Sequence, residues 1–180
     1  MQDARVDKLA KVLVGYSVGV RRNDLVRISA SLVAMPLVRA VYREVLEAGG
    51  HPLLRITDDQ CQDIFYELAD RHQLRYVNPL ALNEIETVDC TIGVWAEENT
   101  KSLSRVAPQR QATVSQARRP IMDTFLKRAA KKGKGRLRWT GTQFPCPAAA
   151  QDAEMSLAQY EAFVYTAGLL HHADPATEWR

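Results

Sequence analysis

Apolar and polar positions recur along the chain with two periods, and the change from one to the other marks its elements. Between Asp24 and Thr57 an apolar run, Leu25-Val26-Arg27-Ile28, leads through Ser29-Ala30-Ser31 into Leu37, Val38, Val41, Tyr42, Val45 and Leu46, spaced at about 3.6 residues. A second apolar run, Leu53-Leu54-Arg55-Ile56, follows Gly49-Gly50. The pattern predicts strand, helix from about Met35 to Ala48, and strand, with Ser29-Ala30-Ser31 as the connecting loop. Arg39, Arg43, Glu44 and Glu47 fall on the wet side of that helix. Pro36 suits its first turn, where no N–H is missed, and Gly49 can take the left-handed conformation that closes it. Two short strands joined by such a crossover pair in parallel. The class expected is therefore α/β, a three-layer domain with a mainly parallel central sheet flanked by helices.

The remaining periodicities extend this plan. Val6, Leu9, Ala10, Leu13 and Tyr16 form one stripe of a helix over residues 3–16, expected to lie beside the first strand. Thr57-Asp58-Asp59 offers N-cap oxygens to a helix burying Ile64, Phe65, Leu68 and Ala69. Pro79 interrupts the next stretch before a short helix carrying Leu80, Leu82 and Ile85. Asp89-Cys90-Thr91-Ile92-Gly93-Val94-Trp95 reads as a central strand. From Thr100 to Lys132 the residues favour helix, and Pro108 and Pro120 divide the segment into two or three pieces. Arg136-Leu137-Arg138-Trp139-Thr140 alternates with period two, one face apolar and one basic, as an edge strand does. Pro145 and Pro147 close it, and Ser156 with Gln159 forms a capping box opening a helix that buries Leu157, Tyr160, Phe163, Val164 and Ala167.

Composition changes this picture little. A length of 180 residues predicts a single domain over 1–180 with its own core. No apolar run reaches the roughly 20 residues that span a bilayer, and Asp3, Asp7, Lys8 and Lys11 break up any signal-peptide core, so no membrane partner and a cytoplasmic location are expected. A net charge of +3 does not demand a polyanionic partner. Cys61, Cys90 and Cys146 are widely spaced and lack C-x-x-C, and read as small buried hydrophobes.

Each chemical candidate has a structural reading beside it. Ser29-Ala30-Ser31 sits where doubly wound proteins bind phosphate, yet without glycines the backbone cannot approach a pyrophosphate. His51, His72, His171 and His172 lie at turns and helix ends, where a cation suits the helix dipole, and no H-E-x-x-H is present. Glu97 and Glu98, beside Asn99 and Thr100, are the best-placed carboxylates, at the end of a strand; a solvated helix-capping loop has the same composition. Lys127, Arg128, Lys131, Lys132, Lys134, Arg136 and Arg138, with Trp139 adjoining, would suit RNA phosphates and base stacking, but lack interleaved aromatics and equally fit a solvated helix end and charged edge. No catalytic, cofactor-binding or metal-ligating residue is assigned, and no nucleic-acid partner is expected.

Asn23-Asp24-Leu25-Val26, then the run from Pro36 to Gly50, Ala96-Glu97-Glu98-Asn99-Thr100, Phe144-Pro145-Cys146-Pro147-Ala148 and the run from Met155 to Val164 follow one another at intervals that resemble the thermophilic metalloprotease family of bacterial aminopeptidases, the aminopeptidase T and aminopeptidase S type. Two positions depart from it: Cys146 stands where the family usually has a small hydroxyl residue, and Glu154 where it usually has Gly. The resemblance implies the N-terminal domain of a two-domain metalloaminopeptidase, whose C-terminal domain supplies Glu, His, Asp and Tyr to two divalent ions, zinc or cobalt, that activate water against a peptide. Those ligands have no matching positions in this sequence. It further implies a homodimer enclosing a cavity when full length, and, because the sequence stops at Glu178-Trp179-Arg180 where the family's continues, a fragment without activity of its own. A stand-alone α/β binding or scaffold module is the alternative.

Overall fold

The strand–helix–strand unit is the centre of the molecule. In a computed structural model describing residues 3–180, β1 (Leu25–Ser31) runs through α2 (Met35–Glu47) to β2 (His51–Thr57), and α1 (Ala4–Lys11) precedes them. After β2 come α3 (Asp59–Leu68), α4 (Arg71–Leu74), α5 (Pro79–Thr87) and β3 (Cys90–Trp95), then α6 (Pro108–Ala130) and β4 (Arg138–Gln143). The chain continues with α7 (Pro147–Asp152), α8 (Leu157–Ala167) and α9 (Pro175–Glu178). The sheet has the order β2-β1-β3-β4 and every pairing is parallel, which establishes the α/β class. β1 and β3 are interior; β2 and β4 are the edges, as the period-two alternation predicted for β4.

The two faces of the sheet differ. Val26, Ile28 and Ala30 of β1 and Cys90, Ile92 and Val94 of β3 are buried together with Leu37, Val38, Val41 and Val45 of α2 and with Val6, Leu9 and Ala10 of α1. α1 packs along α2 rather than beside β1. On the other face Leu25, Leu53 and Leu137 meet Ile85 and Val88 at the amino end of the strands. Farther along, that face becomes polar through Arg27, Ser29, Arg55 and Thr91, in register across three strands.

Several expectations are corrected. Ser29-Ala30-Ser31 is not a loop but the last part of β1, because both neighbouring strands pair with it: Ser29 lies between Arg55 and Gly93, and Ala30 between Ile56 and Val94. The first helix widens into a π-helical turn over Val12–Ser17, turning Tyr16 outward, where its hydroxyl donates to Trp179 O at 2.7 Å. Tyr42 and Leu46 are exposed and Ala40 is buried, so the stripe of α2 is narrower than its apolar residues suggest. Ile64 and Leu68 are 55% and 73% exposed on α3, and of the five residues expected to be buried on α8, Leu157, Phe163 and Ala167 are exposed; Tyr165 is buried instead. His72 lies within α4 rather than after a helix end. Pro120 does not interrupt α6. It removes one donor, but Arg128 donates to Ile85 O at 2.9 Å and Val88 O at 2.6 Å, and Ile121 and Phe125 pack under α5 and β4, so tertiary anchoring outweighs the local cost of about 3 kcal/mol.

The two departures are visible locally. Cys146 is the N-cap of α7 and makes no side-chain capping bond. Glu154 follows α7 with φ +56°, the left-handed conformation that glycine adopts at lower cost.

Candidate functional site

In an open parallel sheet, ligands bind beyond the carboxyl ends of the strands, where the order of connection reverses. Here β1 connects outward to β2 and β3 outward to β4, so the reversal lies between β1 and β3. A cleft of about 440 Å³ opens there. Its floor is one row across the sheet, Arg55, Ser29 and Gly93, and Gly141 continues that row outside the cleft. Trp95, at the end of β3, folds its ring over Gly141, where a Cβ would meet the ring at 2.5 Å. Thr57, Asp59 and Gln62 form the rim on the β2 side, and Glu97, Asn99 and Thr100 that on the β3 side.

The rim is held by short local bonds. Ser31 Oγ donates to Ala96 O, tying the end of β1 to the end of β3, and Thr57 Oγ1 donates to Ala30 O at 3.3 Å. Asp58 caps α3 by accepting from Gln60 N–H at 2.8 Å, while Asp59 Oδ2 accepts from Glu98 N–H at 3.0 Å and pins the loop after β3. Asn99 Oδ1 accepts from Lys101 N–H at 2.9 Å. The loop is thus a capped connection, as its composition suggested, and it also carries Glu97 to the rim. Among the described residues no hydrogen-bond partner is found for the Glu97 carboxylate or the Ser29 hydroxyl.

Charge on the floor is set by three residues. Glu84 of α5, 8% exposed in its side chain, pairs with Arg55 and lies 3.7 Å from Arg27 Nη1. Arg27 also donates to Thr91 Oγ1 at 3.0 Å; burial lowers its pKa against the opposing pull of Glu84, whereas the hydrogen bond to Glu84 raises that of Arg55. The trio carries one net positive charge, and Arg55, 47% exposed, is the member that reaches the cleft. A second groove continues past Arg55 and Thr57 between the sheet, α5 and α6.

The other sequence candidates lie apart. The rings of His171 and His172 lie 4.1 Å apart and tilted by 46° beyond α8, with His172 Nδ1 3.6 Å from Glu178. Of the basic segment, Arg128 is spent on backbone carbonyls and Arg138 on Asp24 at 2.6 Å, while Lys127, Lys131, Lys132, Lys134 and Arg136 are exposed. Cys90 and Cys146 are buried, but Cys61 is exposed, correcting its reading as a core residue. Sequence reasoning misses Arg55, Ser29, Gly93 and Trp95 as a group. Their signal is the alternation within each strand, Arg27/Ser29, Arg55/Thr57 and Thr91/Gly93/Trp95, which puts polar or small residues on one face.

A parallel α/β sheet with a polar cleft at its switch point defines a binding fold without specifying a reaction. The family model of the thermophilic metalloprotease (M29) matches residues 2–180, and the chain belongs to that family of metallopeptidases. Among solved structures, wild-type AmpT from Thermus thermophilus has a similar fold, with a TM-score of 0.72 at 14% identity over 91% of this chain. The match covers 42% of AmpT, so the chain spans less than half of that protein. No curated protein sequence matches it. A metallopeptidase needs several His, Cys or carboxylate ligands around one point. Among the described residues no three such side chains converge, so the donors present do not fit a metal centre. No described helix is long and apolar enough to cross a membrane.

Proposed function

We propose that this chain is the N-terminal, non-catalytic portion of a metal-dependent aminopeptidase, walling the substrate chamber while the ligands of two divalent ions, zinc or cobalt, lie on polypeptide outside it. The observation that carries this reading is the conjunction of a family match over residues 2–180 with a fold match covering 42% of AmpT. In the full-length protein a homodimer would enclose the peptide, in the cytoplasm, and the three-layer α/β domain over 1–180 would support the catalytic half.

Incubating this chain with cobalt or zinc and an aminoacyl chromogenic substrate tests the reading. No turnover above the metal blank is expected. Metal-dependent turnover that a chelator abolishes would overturn it.

A further inference from the structure

Gly93 stands in the middle of the central strand, where glycine is destabilising relative to alanine. Neither backbone nor packing requires it there. Its φ is not in the left-handed range, and a Cβ built on it meets nothing closer than Ser29 Oγ and Thr140 O, both at 3.9 Å. Gly141 beside it is different, because the Trp95 ring occupies the space of its side chain. The missing side chain at Gly93 therefore leaves open floor between a guanidinium and an indole, next to a hydroxyl that has no partner among the described residues. A glycine in a strand interior commonly marks close approach by another group.

From this floor we infer that the switch-point cleft binds a small zwitterion with an apolar side chain, an amino acid or dipeptide, lying over Gly93. Arg55 and the Ser29 hydroxyl take the carboxylate: Arg55 holds Glu84 through Nε and Nη2, but the trio with Arg27 keeps one net positive charge, and Arg55 is its member exposed in the cleft. Glu97, exposed and unpaired among the described residues, faces the ammonium, and the ring of Trp95 takes the side chain. Adjacent strands lie about 4.8 Å apart, so the row from Arg55 to Gly93 spans about 10 Å, room for a dipeptide whose side chain meets the Trp95 ring. The site is non-catalytic and stands apart from the aminopeptidase reading, so failure of either leaves the other intact.

Titration calorimetry of the chain with leucyl-leucine tests this, with N-acetyl-leucine and leucinamide as probes lacking one charge each. Saturable binding of the dipeptide is expected, with each single-charge probe weaker by roughly tenfold or more. Gly93→Val fills the floor and should weaken the dipeptide by at least roughly tenfold with no loss in Tm, since a β-branched residue suits a strand. Gly93→Ala, whose added methyl makes only ordinary contacts, should keep the fold and weaken binding less. No dipeptide binding at millimolar concentration, equal binding of either single-charge probe, or unchanged affinity in both folded variants would overturn the inference.

Discussion

Glu84→Ala is the perturbation that most directly probes how the polar face of the sheet is tolerated. Glu84 is nearly buried and is, among the described residues, the one acid paired with Arg27, which is 20% exposed in its side chain; it also pairs with the more exposed Arg55. Removing one partner of a buried pair costs about 3–5 kcal/mol because a buried charge is left uncompensated. Arg27 keeps its bond to Thr91 and some access to water, which lowers that figure to about 2 kcal/mol. The screened pair with Arg55 adds about 0.5 kcal/mol. A loss of roughly 2–3 kcal/mol corresponds to a Tm lower by roughly 5–10 °C for a chain of this size. Urea unfolding followed by circular dichroism measures it, and a double variant, Arg27→Met with Glu84→Leu, supplies the control. Replacing both charges with apolar groups should recover most of the loss. A loss below about 1 kcal/mol for Glu84→Ala, or a double variant as unstable as the two single losses summed, would refute the reasoning.

Two further predictions concern alkaline pH and the turn after α7. Burial pushes the Cys90 thiol up to about 12 and the Tyr165 phenol up to about 12. Both groups stay protonated in the folded protein while the unfolded chain releases its protons, so stability falls as pH rises from about 9 for Cys90 and about 10 for Tyr165 toward about 12, by about 1.4 kcal/mol per pH unit per group. Urea midpoints across that range should fall steeply in the parent and less in a Cys90→Ala, Tyr165→Phe variant; identical slopes would contradict it. Glu154→Gly removes a left-handed cost of about 1–2 kcal/mol and adds unfolded-chain entropy of about 0.5–1 kcal/mol, so a net gain of roughly 0.5–1 kcal/mol is expected in thermal unfolding. A lower Tm would show that the Glu154 side chain contributes more than its backbone costs.

The fold was legible where a residue type allows one local conformation or where both faces of an element are buried. Pro36 and Gly49 bound α2, Ser156 and Gln159 cap α8, and the apolar run through Ile92 and Val94 gave an interior strand. Periodicity failed where apolar residues outnumber the area available to cover them. Ile64, Leu68 and Phe163 repeat at helical spacing yet face outward, so spacing alone does not decide burial. Pro120 marked a break that tertiary anchoring overrides. The cleft was hidden because its floor comes from β2, β1 and β3, and only the parallel register sets Arg55, Ser29 and Gly93 in one row. Ser29 and Ser31 at the end of β1 looked like a loop because they are polar, whereas Ser29 faces the cleft and Ser31 is buried and bonded to Ala96 O.

The proposed role stands or falls with this chain holding no metal centre of its own. Elemental analysis of the chain, loaded with zinc or cobalt and then dialysed against metal-free buffer, measures that directly. No stoichiometric metal should be retained, and a chelator should leave the Tm unchanged. One or more ions bound per chain, with a Tm that drops on chelation, would contradict it.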